Sequence, residues 1–257
     1  MLGAIVGDIV GSVHEFIGTK TKEFPLFVPD SRFTDDTVLT VAIAEWVLTG
    51  RDLIDLLHEY TQAYPRRAYG IRYGRWADTR SRQPYNSYGN GAAMRVSPVG
   101  FAFDTIEEVL RQAERSAAVT HNHPEGIRGA QATAAAVFFA RRTQDRDEIR
   151  RELETRFGYA LGPRLDDIRP TYRFNETCQD TVPQALIAFL ESTDYEDAIR
   201  NAVSLGGDAD TLAAIAGGVG EAYYGGVPAG IAARGVELLD EKLATVLRRF
   251  RERFALA

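Results

Sequence analysis

Two short segments of the chain set carboxylates beside threonines at what read as helix starts. "RFTDDTVLT" (32–40) carries Thr34, Asp35 and Asp36, and "GGDADTLAAIAGG" (206–218) carries Asp208, Asp210 and Thr211. A helix cap needs only one such oxygen, to accept from a free N–H of the first turn. Two or three crowded acids exceed that need, because like charges about 4 Å apart cost about 4 kcal/mol at an effective dielectric of about 20. A divalent cation removes that cost, and carboxylate and hydroxyl oxygens are the hard donors that Mg²⁺, Mn²⁺ and Ca²⁺ select. Four aspartates brought together by a fold can hold two such ions, the arrangement of two-metal hydrolysis. Other metal chemistries lack their ligands: His14, His58, His121 and His123 show no HExxH-type spacing, and Cys178 is the only cysteine. A prenyl-diphosphate type of aspartate motif, D-D-x-x-D, needs a third acid at position 39, where Leu39 stands.

The acid segments lie far apart in sequence, so the elements between them must bring them together. Helical periodicity dominates. Ile5, Ile9, Val13 and Phe16 predict a first helix over about 3–16, with Gly3, Gly7 and Gly11 four apart on one face. Each glycine costs about 1 kcal/mol against alanine in a helix, which points to close approach by another backbone. Residues 18–33 read as loop. Thr34 caps a second helix that ends before Gly50, and Asp52 caps a third that runs to about Tyr64. Residues 65–90 show no clear period and read as a long functional loop rich in arginine (Arg66, Arg67, Arg72, Arg75, Arg80, Arg82). These arginines are read as a solvated face, with contact to a phosphate or a partner as the alternative.

Residues 89–103 open another helical stretch, and Thr105 with Glu108 forms a capping-box pattern for a helix over 104–119. Further helices are expected at about 124–142, 145–157, 181–191, 194–205 and from Ala209 to before Gly225, with two more over 228–254. The expectation is a single all-α domain, 1–257, of about ten helices.

Composition fits this. Hydrophobic residues are 45% and charged ones 26%, an ordinary globular balance, and the net charge of −6 argues against a general nucleic-acid surface. A lone cysteine forms no intrachain disulfide and fits a reducing cytoplasm. The apolar N-terminus has no basic leader and carries Asp8, so it is a poor signal peptide, and no uncharged apolar run is long enough to span a membrane.

Five motifs in order, "GAIVGDIVGSVHEF", "FTDDTVLT", "YGNGAAMR", "THNHPEGI" and "GGDADTLAAIAGGVGEAYYG", resemble the ADP-ribosylglycohydrolases, the group that includes the dinitrogenase-reductase-activating glycohydrolase. They extend over nearly the whole chain. The resemblance implies an all-α fold with a binuclear Mg²⁺ or Mn²⁺ centre in a cleft, held by Thr34, Asp35, Asp36, Asp208, Asp210 and Thr211. It implies catalysis by Glu15 together with Asp36 and Asp208. It places Ser87, Tyr88, Gly89, Asn90, Gly91 and Met94 on a loop that receives ADP-ribose, and His121 against the nucleotide. The implied reaction is hydrolysis at C1″ of ADP-ribose attached to a protein side chain or a small-molecule adduct; nucleic acid enters only as an ADP-ribosylated substrate. In such a site Gly89 and Gly91 free backbone N–H groups for a pyrophosphate, with help from the following helix N-terminus.

Single residues have plainer readings beside these. Asp8 reads as an ordinary polar residue of the first helix, Trp46 as core, Cys178 as a structural thiol, and one of His121 and His123 as a helix cap. The competing functional class is an inactive ADP-ribose binder or structural relative on the same fold. The six ligand positions and Glu15 are all present, which argues for an enzyme.

Overall fold

Gly3, Gly7 and Gly11 do meet another backbone. They lie on α1 (Leu2–Gly11), which packs against α13 (Ala209–Tyr224). A Cβ placed on Gly7 would stand 2.0 Å from the carbonyl oxygen of Ala213, and one on Gly11 would stand 2.4 Å from Asp210 Cα. The approach is too close for any side chain, and it sets the end of α1 beside the start of α13. The two helices are the buried spine of the molecule: every residue of α1 is buried, as is α13 from Ala209 to Glu221.

The computed structural model describes residues 1–256, and among these every regular element is an α-helix. Around the spine lie α2 (Asp35–Thr49), α8 (Pro124–Arg142), α11 (Cys178–Leu190) and α12 (Tyr195–Val203). Thr34 caps α2 by accepting from the Asp36 N–H, and Gly50 ends it at φ 68°. The small side chains of α8, Ala130 and Ala132 to Ala136 among them, are buried and let it nest against α11 and α13. The outer helices are α3 (Leu53–Ala63), α4 (Ile71–Asp78), α7 (Ile106–Ala118), α9 (Arg146–Phe157), α14 (Ala229–Glu237) and α15 (Glu241–Arg253), with the short α5 (Gly91–Met94), α6 (Ser97–Ala102) and α10 (Leu165–Ile168) between. Trp46 is buried, as is Cys178, whose thiol donates to the Gly89 carbonyl. Among the described residues no helix is long and apolar enough to cross a membrane.

The all-α architecture agrees with the sequence reading; several boundaries do not. The first helix stops at Gly11 instead of near residue 16, and hydrogen-bonded turns over 12–17 carry Glu15. The supposed loop 65–90 contains α4, which buries Tyr73, Trp76 and Ala77 on one face. That i, i+3, i+4 pattern is present in the sequence, but it spans only two turns and is interrupted by Gly74. The stretch 89–103 is two short helices broken at Arg95–Val96, where Pro98 favours a fresh start. The helix expected from 181 begins at Cys178, so Pro183 lies inside it and not in its first turn. Only half of the 105–108 capping box forms: Thr105 accepts from the Glu108 N–H, while the Glu108 carboxylate turns to Arg111 and Gln112. The split of 89–103, with α4 and α10, adds three helices to the sequence reading, and the described residues hold fifteen in all against about ten expected.

Candidate metal centre

The site is assembled from five segments, those of Asp8, Glu15, Asp35–Asp36, Asn90 and Asp208–Thr211. Asp8 projects from α1 to the start of α2, where its Oδ2 accepts from the N–H of Thr34 at 2.9 Å and of Thr37 at 3.1 Å, and its Oδ1 from the Thr34 hydroxyl at 2.6 Å. The Thr37 hydroxyl donates to the same carboxylate. One buried acid thus holds the first turn of α2 in place, and with it Asp35 and Asp36. The Asp35 N–H is taken up by the Arg67 carbonyl at 2.7 Å, which ties this turn to the segment before α4.

From the other side, Gly206 turns the chain at φ 61° into Asp208, the N-cap of α13, whose first turn carries Asp210 and Thr211. The segments meet where Thr211 Oγ1 donates to Asp36 Oδ1 at 3.5 Å. Asn90 Nδ2 donates to Asp208 Oδ2 at 2.7 Å and to Thr181 Oγ1 at 3.1 Å. Carboxylate oxygens of Glu15, Asp208 and Asp210 all lie within 4.8 Å of one another. Among the described residues none of Glu15, Asp35, Asp36, Asp208 and Asp210 has a lysine or arginine partner in an ion pair.

Burial and mutual repulsion push these acids up. Asp35, Asp36 and Asp210 are held well above the ordinary carboxylate range, by burial first and by neighbouring acids second. Asp208 is raised to about 6 by burial, against the hydrogen bond from Asn90. Glu15 is raised to about 8 by its partial burial and then by the charges of Asp210, Asp8 and Glu176. The donor set fits a hard divalent cation: it is all oxygen, it has excess negative charge with no protein counter-ion, and Asp36 Oδ2 is buried with no hydrogen-bond partner.

The acids form one end of a cleft of about 580 Å³. Of the sequence-predicted residues, Glu15, Asp35, Asp36, Ser87, Tyr88, Gly89, Asn90, Gly91, Met94, His121, Asp208, Asp210 and Thr211 line it. Thr34 does not. It sits behind the wall with its hydroxyl donating to Asp8 and accepting from the Asp36 N–H, which leaves one lone pair uncommitted. The glycine loop is pinned to the segment before α11 by Asn90 N–H to the Glu176 carbonyl at 2.7 Å and Cys178 N–H to the Tyr88 carbonyl at 2.9 Å. The helix expected to support that loop is the single turn α5, so its dipole contributes little. His123, not His121, caps α8, accepting from the Glu125 N–H at 3.1 Å.

Sequence reasoning missed Asp8 as the anchor of the Asp35–Asp36 turn, and missed Glu176, Tyr69, Tyr73, Tyr85 and Arg95 as cleft wall. The signal for Asp8 was its type: an acid on a small, apolar helix face must be paired. Of the loop arginines, Arg72 lines the cleft and Arg67 lies over the Phe33 ring at 3.8 Å; Arg82 pairs with Asp52 and Asp55 on the surface.

A model of the ADP-ribosylglycohydrolase family matches residues 1–256. The chain belongs to the ADP-ribosylglycohydrolase family. As a member it is an enzyme that hydrolyses glycosyl bonds. Similar proteins include the human ADP-ribosylhydrolase ARH3, 27% identical over 88% of this chain and 84% of that protein, and its Xenopus tropicalis counterpart, 28% identical over 88% and 86%. The ADP-ribosylarginine hydrolase Tri1 of Pseudomonas putida is 26% identical over 88% of this chain and 69% of its own. A solved ADP-ribosylglycohydrolase-related protein complex superposes with a TM-score of 0.70 at 28% identity, covering 97% of this chain and 96% of its own. The family member described here thus shares its fold along almost the whole chain.

Proposed function

We propose that the enzyme removes ADP-ribose from a modified protein side chain or a small-molecule adduct by hydrolysing the bond at C1″, with two divalent cations, Mg²⁺ or Mn²⁺, held by Thr34, Asp35, Asp36, Asp208, Asp210 and Thr211. The observation that carries this reading is the meeting of the two acid–threonine segments, Thr211 Oγ1 to Asp36 Oδ1 at 3.5 Å, at one end of a cleft whose wall is the Ser87–Gly91 loop. Cations bound there supply positive charge and Lewis acidity towards hydroxyl groups and water.

The protein's own groups divide the rest of the work. Glu15 stands half-exposed beside Asp208 and Asp210, placed to act as the acid or base that exchanges a proton with water or the departing acceptor atom. Asn90 fixes the Asp208 carboxylate. Gly89 and Gly91 keep the loop free of side chains where a pyrophosphate would lie, and His121 flanks them. Relatives of two kinds, ARH3 and the arginine-directed Tri1, support a protein adduct as substrate. The buried lone thiol of Cys178 suits a reducing, cytoplasmic setting.

The test is release of ADP-ribose from arginine-, serine- and nucleic-acid-linked substrates with added Mg²⁺ or Mn²⁺. Chelation with EDTA and the substitution Asp208→Ala should each abolish it. Undiminished turnover in either case removes the metal role. Binding of ADP-ribose without turnover on any adduct instead establishes the inactive-binder reading.

A further inference from the structure

Arg95 is fully buried in the cleft wall, and no carboxylate pairs with it among the described residues. Its Nη2 donates to two oxygens at the end of α7, the Ser116 carbonyl at 2.9 Å and Thr120 Oγ1 at 2.8 Å. Thr120, also fully buried, has its Oγ1 2.8 Å from His121 Nδ1. The other ring nitrogen, Nε2, has no partner among the described residues and faces the glycine loop, 3.1 Å from where a Cβ on Gly91 would stand.

The hydroxyl of Thr120 has one proton to give. One of its lone pairs is taken by Arg95, and it makes no hydrogen bond besides those to Arg95 and His121. A proton on His121 Nδ1 would leave the buried threonine proton without an acceptor, at a cost of about 1–3 kcal/mol in general. A doubly protonated ring would add a second buried cation beside Arg95. One arrangement satisfies both the Thr120 hydroxyl and His121 Nδ1: Arg95 donates to Thr120, Thr120 donates to Nδ1, and the ring proton sits on Nε2, open to a ligand.

We infer that Arg95 and Thr120 are positioning residues that lock His121 as a neutral ring with its N–H at Nε2, aimed into the cleft as a hydrogen-bond donor for a ligand oxygen. The oxygen is a phosphate or sugar oxygen of the bound ADP-ribose, a step that rests on the reading of the cleft given above. Burial, then the nearby charges of Arg95 and Arg72, hold His121 well below its ordinary pKa, which agrees with a neutral ring. This relay gives a buried arginine beside a buried histidine its purpose: a neutral donor is available to the ligand without titrating in the physiological range.

The tautomer is read directly by two-bond ¹H–¹⁵N correlation on the full chain labelled with ¹⁵N-histidine, with His121 assigned by comparison with His121→Gln. The expected signal is the Nε2–H pattern, with and without ADP-ribose. Thr120→Val, which keeps the shape and removes the hydroxyl, should give mixed tautomers. It should also raise KM for the ADP-ribosylated substrate about tenfold, the upper range for one neutral hydrogen bond, with kcat changed by less than about twofold. Thr120→Ser should restore both. An Nδ1–H or doubly protonated His121 in the unaltered protein overturns the inference, whatever the variants do, as does an unchanged pattern in folded Thr120→Val. The expected tautomer with no response of ADP-ribose affinity to Thr120→Val counts against the substrate reading and leaves the tautomer assignment standing.

Discussion

Asp8 Oδ1 accepts the hydroxyl proton of Thr34 at 2.6 Å, so a carboxylate on the first helix caps the second. The same carboxylate takes both backbone N–H groups that the first turn offers it, at Thr34 and Thr37. An asparagine keeps the shape and one acceptor oxygen, but brings an amide donor to a place that needs acceptors. Asp8→Asn should therefore cost about 3 kcal/mol, the range for losing hydrogen bonds to a buried charge. Urea unfolding measures this. A second consequence separates anchoring from mere stability: Mg²⁺ or Mn²⁺ affinity by calorimetry should fall at least about tenfold, since Asp35 and Asp36 ride on that turn. Unaltered affinity in a folded variant shows that α2 is held by other contacts.

The spine makes the site dependent on glycine. A Cβ on Gly7 would overlap the Ala213 carbonyl at 2.0 Å, and backbone cannot move aside as a flexible side-chain tip can. Gly7→Ala should push α1 and α13 apart and cost about 3 kcal/mol or more, the upper range for overpacking. Gly74, on α4 with open space around its Cβ direction, is the comparison. Gly74→Ala should gain up to about 1 kcal/mol from helix propensity. Equal melting temperatures for the two variants would mean that the helices are free to separate.

That spine was legible in the sequence, because three glycines at four-residue spacing weaken a helix unless a second backbone lies against their face. So was the unusual character of the two acid–threonine segments, since acids crowd there beyond any capping need. The walls were not. Arg95 and Tyr73 act through neighbours distant in sequence, Thr120 and Thr61, and no local pattern encodes such pairs. Glu15 was placed by resemblance alone; its turn begins where the glycine-diluted α1 can no longer continue. Loop 65–90 hid α4 because a two-turn helix offers too few periods to recognise.

The acid cluster predicts how stability varies with pH in the metal-free protein. The folded pKa of Glu15 lies at about 8 against an ordinary 4.5, and that of Asp208 at about 6 against 3.8. Both are raised, so the folded state binds these protons more tightly than the unfolded chain. Their stabilising contribution is complete below the ordinary values and is lost as pH rises through about 6 and then about 8. The melting temperature of the metal-free protein should accordingly decline between about pH 5 and pH 8. Saturating Mg²⁺ or Mn²⁺ should flatten that decline, because a cation stabilises the deprotonated acids. A flat metal-free profile across this window would show that the acids do not repel one another in the folded chain.

Asp36 offers the sharpest separation of stability from function. Its Oδ2 is buried and unpartnered, and its Oδ1 accepts only a long contact from Thr211 at 3.5 Å. Burial and the charges of Asp210, Asp8, Asp35 and Asp208 hold its pKa well above the ordinary range. Asp36→Asn removes one charge at constant shape and gives the neighbouring carboxylates a donor. Without cations, the variant should melt several degrees higher than the unaltered protein at pH 8, as a gain of about 1–2 kcal/mol implies for a chain of this size. The increase in melting temperature on adding Mn²⁺ should shrink to near zero, and ADP-ribose release should fall by at least about a thousandfold, more than about 4 kcal/mol of lost barrier reduction. Only a residue that serves the ion at the expense of the fold gives this pair of opposite shifts. A variant less stable than the unaltered protein in the absence of metal would mark Asp36 as structural.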